Sequence, residues 1–249
     1  MTKIISIINQ KGGVGKTTTT CSLAAALSLH DQKVLAVDLD PQCNLSQSLG
    51  VKTYENNVYQ LLKGKCEFCP VSINENFDLL PSSIDLSAFE LEMSNEPGRE
   101  YLLKEILRKV QARYDYILID CSPSLGLVSL NALTASDSFL VPILPHHLSI
   151  QGLSKLIEVT DKIKTRMNKK LKLEGVLLTQ FSNRKVLHRD VLEVIQNHFK
   201  EKLYETHIRE NIALAEAPST GLHIYSYEMT SKGGLDYLNL CKELLENHK

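Results

Sequence analysis

Five short runs of Ile, Val and Leu, at residues 4–8, 34–37, 116–119, 139–143 and 176–178, constrain the fold of this 249-residue chain more than any other feature. Each run is continuously apolar rather than alternating. That is the pattern of a strand covered on both faces, the usual situation of parallel strands. Between the runs lie segments of helix length with apolar stripes, at 16–29, 99–111, 152–167 and 186–199, and a terminal one at 234–247. The alternation predicts an α/β fold, a doubly wound and mainly parallel sheet with helices on both faces and right-handed crossovers. No internal repeat or linker-like stretch interrupts it, so residues 1–249 read as a single domain.

Sheets of this kind bind ligands beyond the carboxyl ends of their strands. The segments to inspect are therefore 9–18, 38–44, 120–126 and 145–152. The first reads Asn9-Gln10-Lys11-Gly12-Gly13-Val14-Gly15-Lys16-Thr17-Thr18, set between a strand and a helix. Glycines let the backbone curl so that successive N–H groups face an anion, and the helix N-terminus adds partial positive charge. Lys16 is placed to reach the β- and γ-phosphates of ATP, and the Thr17 hydroxyl to ligate Mg²⁺. Thr18 adds a contact to the α-phosphate. In the plain pattern GxxxxGK[ST] the first glycine would fall on Gln10; here an additional lysine, Lys11, precedes the glycines instead. A second lysine adds attraction for the triphosphate, and if it arrives from a partner it makes the γ-phosphate part of an interface.

The second strand runs into Asp38-Leu39-Asp40-Pro41, which places both carboxylates on one face at the ligand end. Asp38 reads either as a contact to Mg²⁺-bound water or as a structural hydrogen-bond acceptor. Residues 116–119 end in Asp120, the Walker B arrangement in which a carboxylate holds Mg²⁺. His146 and His147 follow the fourth run; interface packing suits them better than metal binding, since no third ligand is identifiable.

Together KGGVGKTT (11–18), DLDPQCN (38–44), DCSPSLG (120–126) and LAEAPSTG (214–221) resemble the ParA/Soj family of chromosome and plasmid partition ATPases, the deviant Walker A type of P-loop NTPase in the MinD/ParA superfamily. The resemblance spans nearly the entire chain. It implies an ATP- and Mg²⁺-dependent ATPase, slow and partner-stimulated, that forms a homodimer on binding ATP, with Lys11 touching the phosphates of the opposite subunit. It assigns Asp40 to the attacking water, Gly12, Gly13, Val14, Gly15 and Thr18 to the phosphates, and Arg209 and Asn211 to the segment against adenine. It further implies a ParB/Spo0J-type partner and nonspecific binding of double-stranded DNA through basic side chains, of which Arg184 matches a family arginine, with Lys185 and Arg189 nearby. Two departures stand out: Ser122 replaces the first proline of the D-x-P-P-S switch, and Ala213 stands where relatives carry a second arginine.

Charge and cysteine content bear on the partners. The net charge is −1, yet residues 161–202 hold 11 Lys/Arg against 5 Asp/Glu; removing that +6 from −1 leaves −7 on the rest of the chain. This asymmetry is a candidate electrostatic footprint for DNA. Cys66 and Cys69 form a CxxC without a second pair at metal-site spacing, and read as two thiols in a loop. No apolar run approaches the roughly 18 residues that cross a bilayer, and the N-terminus lacks signal-peptide zones. The expected location is cytoplasmic and nucleoid-associated, with no membrane partner. A MinD-like membrane-positioning ATPase is the alternative, requiring a basic amphipathic helix that residues 234–249 supply poorly. A reductase relative with a shared Fe–S cluster would need a cysteine set that Cys121, Cys66 and Cys69 do not provide.

Overall fold

A computed structural model describes residues 2–52 and 54–249; Met1 and Thr53, within the expected domain span, lie outside the described residues. The strands are β1 (Lys3–Ile7), β2 (Val34–Leu39), β3 (Val71–Asn74), β4 (Phe77–Leu80), β5 (Tyr116–Cys121), β6 (Ser138–Ile143) and β7 (Lys172–Leu178). They form one sheet in the order β3-β4-β2-β5-β1-β6-β7. All neighbours pair in parallel except β3 with β4, a short antiparallel hairpin at the edge. β2, β5 and β6 are buried at every position, as their unbroken apolar runs require.

The helices are α1 (Lys16–Leu29), α2 (Asn44–Ser48), α3 (Val58–Leu62), α4 (Phe89–Glu92), α5 (Leu102–Val110), α6 (Leu127–Ala135), α7 (His147–Arg166), α8 (Val186–Phe199), α9 (Ala213–Glu216), α10 (Ile224–Glu228) and α11 (Lys232–Asn247). They cover the sheet on two sides and enclose two cores. One joins Ile4, Val37, Ile119 and Val141 of the strands to Leu103 and Leu107 of α5, Leu133 of α6 and Leu156 of α7. The other joins Ile5, Ile7, Ala36 and Leu118 to Leu23 and Leu27 of α1 and to Tyr237, Leu240 and Leu244 of α11. Successive strand residues point to opposite faces, so Ile4 and Ile5 serve different cores. The expected α/β architecture is thus the one observed.

Three helices differ most from the sequence reading, α7 and α5 in their boundaries and α6 in being absent from it. α7 starts at His147 rather than at residue 152, directly after the β6 end and its turn at His146. α5 is shorter than 99–111 because Arg99 is used to hold the preceding loop, donating to the Met93 and Ser94 carbonyls. α6 lacks an amphipathic stripe because it is buried almost all round, packed against both α5 and α7.

Candidate functional site

β1 lies at the centre of the sheet, between β5 and β6, and the loop that follows it is held from both sides. On one side Asn9 Nδ2 donates to the Pro142 carbonyl at 2.7 Å, while Asn9 Oδ1 accepts from Lys11 N–H at 3.0 Å. On the other, Thr179 Oγ1 beyond the β7 end donates to the Val14 carbonyl at 2.8 Å and lies 3.2 Å from Ile143 O. Val14 is buried, which seats the loop in the core. Gly13 and Gly15 take φ of 72° and 87°, left-handed values that residues with a Cβ avoid. Turns of this kind direct successive N–H groups into one concavity.

Lys16 opens α1, is buried, and donates to the Lys11 carbonyl at 3.2 Å. Burial lowers the pKa of its ammonium, opposed by the nearby Asp120, Cys121 and Asp40. Lys11 differs in every respect. It is exposed at the lip of the loop, and among the described residues its ammonium has neither a hydrogen bond nor an ion pair.

The three acidic groups have separate surroundings. Asp38 and Asp120 stand side by side in the β2–β5 register and are fully buried. Asp38 Oδ1 accepts from Asp40 N–H (3.1 Å), and Oδ2 from both Ser46 N–H (2.8 Å) and the Ser46 hydroxyl (2.7 Å). Both oxygens thus help to build the β2–α2 turn, the structural one of the two roles read for Asp38. Burial pushes its pKa up to about 6 against the pull of the Ser46 bonds. Asp120 Oδ1 lies 3.4 Å from the Thr20 hydroxyl, whereas Oδ2 is buried without a hydrogen-bond partner among the described residues. Burial and the Asp38 charge raise this carboxyl well above the ordinary range, with the Thr17 hydroxyl and Lys16 pulling the other way. A buried carboxylate oxygen of this kind, beside Thr17, suits a hard divalent cation. Asp40 is nearly buried at the cleft wall, its Oδ1 accepting from Gln42 N–H at 2.9 Å. It therefore both shapes the turn at Pro41 and faces the same cleft as Lys16 and Thr17.

That cleft, of about 710 Å³, is lined by Gly12, Gly13, Lys16, Thr17, Asp40 and Pro123 among others. It joins a second chamber of about 340 Å³ through Gly15, Thr18, Gln180 and Ala215, which border both. Ile208, Asn211, Ile212, Leu214 and Tyr237 line that chamber. A phosphate-loop cleft holding Lys16 and Thr17 that opens onto a smaller slot walled by Ile208, Ile212, Leu214 and Tyr237 is the shape of a nucleotide site. Asn211 lines the chamber, and its Oδ1, packed beside Gly233, has no hydrogen-bond partner among the described residues. Arg209 borders the slot, but its guanidinium grips Asp236 of α11, with Nη2–Oδ1 at 2.6 Å and Nε–Oδ2 at 3.0 Å. The side chain expected at the base is therefore engaged in tying the β7–α9 connection to the terminal helix.

The switch segment after β5 is anchored where it enters α6: Leu127 N–H donates to Glu90 Oε2 at 3.3 Å, and the Ser129 hydroxyl donates to the Ser124 carbonyl. Cys121 is buried and its thiol pKa is raised by burial, which makes it a packing group. Cys69 is exposed in the loop before β3, its thiol 3.8 Å from the Tyr54 hydroxyl. His146 sits edge-on to His188, whose Nδ1 accepts from Ser182 N–H at 3.1 Å. Burial lowers the His188 pKa, which favours the neutral acceptor.

Arg184, Lys185 and Arg189 cluster where β7 gives way to α8. Arg184 is exposed; Lys185 lies 3.6 Å from Glu210, and Arg189 donates to the Asn183 carbonyl at 2.6 Å. Ala213 is buried and adds nothing to this surface. Asn9 and Thr179, which hold the loop, carry no motif of their own in the sequence; Thr179 follows the end of β7, 165 residues from Val14.

The model for the AAA domain family matches residues 2–173. Sporulation initiation inhibitor protein Soj of Bacillus subtilis is 42% identical over 252 residues, spanning 99% of this chain and 100% of the relative. The chain belongs to the ParA/Soj family. Two solved structures extend the comparison across the superfamily. One is described as cobyrinic acid a,c-diamide synthase from Mycobacterium smegmatis with bound ATP analog and magnesium (TM-score 0.89, 34% identity, 100% of this chain and 96% of that one). The other is the cell division ATPase MinD of Pyrococcus furiosus (TM-score 0.82, 27% identity, 99% and 100%). Ser122 is buried at the switch, in a segment held by Glu90 and Ser129.

Proposed function

We propose that this chain is a single-domain partition ATPase that binds Mg²⁺·ATP, dimerises through it, binds duplex DNA nonspecifically in that state, and is reset when a ParB/Spo0J-type partner stimulates hydrolysis. The observation that carries the reading is the contrast between the two lysines. Lys16 is buried against its own loop, whereas Lys11 stands exposed, without a side-chain partner among the described residues, next to Gly12 of the cleft lining. An unpaired ammonium so placed is available to the γ-phosphate of a nucleotide held by a second copy.

In this reading the loop N–H groups and Lys16 hold the β- and γ-phosphates, Thr18 lies toward the α-phosphate, and Asn211 accepts from the adenine amine. Thr17 and Asp120 would hold Mg²⁺, which when bound neutralises phosphate charge. Asp40 orients water toward the γ-phosphorus. The new water oxygen–phosphorus bond replaces the bond to the β-bridging oxygen, giving ADP and phosphate. Loss of the γ-phosphate removes the anchor of Lys11, so the pair separates.

The MinD-like alternative has the MinD fold match in its favour, but α11 argues against it. Leu240 and Leu244 are in the core, and His248 is clamped between Glu174 (3.0 Å) and Tyr116 (3.1 Å). Among the described residues no helix is long and apolar enough to cross a membrane. The test is duplex-DNA affinity with ATP, ADP and no nucleotide at two salt concentrations. Asp40→Ala should stay locked in the ATP-loaded, DNA-bound state, and Arg184→Ala should dimerise without that DNA binding. Equal affinity in all three nucleotide states rejects the switch; capture of the ATP form by liposomes but not DNA selects the alternative.

A further inference from the structure

α6 begins without a cap of its own. Its N-cap is Gly126, which has no side chain, so the first N–H groups of the helix need partners from elsewhere. The one at Leu127 finds the Glu90 carboxylate of α4, 37 residues back in the chain, at 3.3 Å. A negative charge is also favoured at this end of a helix. Gly126 is extended, with φ −82° and ψ −165°, a conformation open to any residue. What glycine supplies here is room: a Cβ would come within contact distance of Glu90 Oε2 and lie 3.3 Å from Glu90 Cδ.

α4 presents that carboxylate from a fixed base. Phe89 is fully buried in the core, and Glu92 accepts from the Tyr59 hydroxyl at 2.8 Å and from the Lys63 ammonium at 2.7 Å. Glu90, between them, is exposed. α6 is fixed further along by Asn131, whose Nδ2 donates to the Arg99 carbonyl at 2.8 Å and whose Oδ1 accepts from Leu103 N–H at 3.1 Å. Two seated helices joined by an exposed charged contact can part at Glu90 without disturbing the core.

Between β5 and α6 runs the switch segment, residues 122–126. It leaves the buried Asp120 and Cys121 at one end, carries Pro123 into the wall of the phosphate cleft, and reaches the Glu90 contact at the other. We infer that Glu90 is a positioning residue for ATP hydrolysis: by capping α6 it fixes the exit of the switch segment, and so holds Pro123 at the cleft wall where the γ-phosphate is attacked. The inference rests on the proposed ATPase reading. Glu90 touches neither nucleotide nor water in it and acts only through the switch backbone. The bond from the Ser129 hydroxyl to the Ser124 carbonyl is a second tie that survives the loss of Glu90, so the effect is partial.

The experiment is the single-turnover rate of hydrolysis of radiolabelled Mg²⁺·ATP by the full-length protein, measured beside ATP affinity and melting temperature. A hydrogen bond to a charged acceptor, discounted for exposure, predicts that Glu90→Ala slows turnover about fivefold with ATP affinity unchanged. Glu90→Gln keeps an oxygen acceptor for Leu127 N–H and should recover most of the rate. Gly126→Ala should slow turnover as far as Glu90→Ala, because its methyl group displaces the carboxylate. In the Glu90→Ala protein the same change should slow it no further, since nothing is left to displace. Without nucleotide, hydrogen exchange at the Leu127 amide should quicken in Glu90→Ala and in Gly126→Ala, and less in Glu90→Gln. Unchanged turnover in Glu90→Ala overturns the inference. So does a loss matched by an equal loss of ATP affinity or by early melting, and so do additive losses in the double variant. A wild type that binds ATP without hydrolysing it fails the ATPase reading and takes this inference with it, whereas a wild type that turns over as fast as its Glu90 variants fails the inference alone.

Discussion

Replacing Asp120 by asparagine pits metal binding against the stability of the nucleotide-free protein. Asp120 and Asp38 face each other across neighbouring strands. At a strand spacing of about 4.8 Å and an effective dielectric of about 20, two full charges there repel by about 3 kcal/mol. Burial adds to this by raising the Asp38 pKa to about 6 against about 4 in an unfolded chain, worth about 3 kcal/mol. The sign follows from linkage. A carboxyl whose pKa is raised by folding contributes stability that is complete below about pH 4 and is lost as the pH rises through about 6. Asp120→Asn removes the repulsion but places an amide where Oδ2 now lies without a partner, at a cost of about 1–3 kcal/mol. At pH 5, where protonation already relieves the pair, the amide cost prevails and the variant melts at or below wild type. At pH 8 relief prevails by about 1 kcal/mol, or roughly 2–4 °C for a chain of this size. Melting curves in EDTA at both pH values read this crossing, and Mg²⁺-dependent stabilisation by ATP should vanish in the variant. A variant less stable than wild type at pH 8, or one that keeps its Mg²⁺ response, refutes the account of Asp120.

Two further substitutions separate base recognition from scaffolding. Asn211→Ala removes a buried acceptor without a partner, so the nucleotide-free protein should melt no lower, while ATP affinity falls about tenfold. GTP affinity should not fall, because guanine presents a carbonyl where adenine has its amine; equilibrium titration with both nucleotides checks this. Arg209→Ala breaks the bidentate grip on the buried Asp236 and should cost about 1–2 kcal/mol in denaturant unfolding, discounted because the guanidinium is half exposed. Its ATP affinity should change less than that of Asn211→Ala.

What the sequence revealed follows from burial. The four interior strands with parallel neighbours on both sides and the apolar second half of the edge strand β7 were legible because both faces are covered, so that Ser6 alone is polar within the five runs. β3 was not legible: as an edge strand it alternates half-buried with exposed residues, Ser72 and Asn74 among them, and its partner β4 has only four residues. α6 escaped for the opposite reason, being apolar on all sides and thus without a stripe. At the site the phosphate loop was readable because its geometry is local. Partnerships across long separations were not: Arg209 with Asp236, Thr179 with Val14, and Glu90 with Leu127 all depend on how the chain folds back. The two readings of Asp38 were separated only by Ser46, eight residues on, which takes up Oδ2.

The central claim concerns the exposed lysine, and analytical ultracentrifugation with Mg²⁺·ATP tests it most directly. Wild type should sediment as a dimer with ATP and as a monomer with ADP. Lys11→Ala should bind ATP, as judged by a retained thermal shift, yet remain monomeric. An ATP-loaded Lys11→Ala protein that sediments as the wild-type dimer would contradict the account.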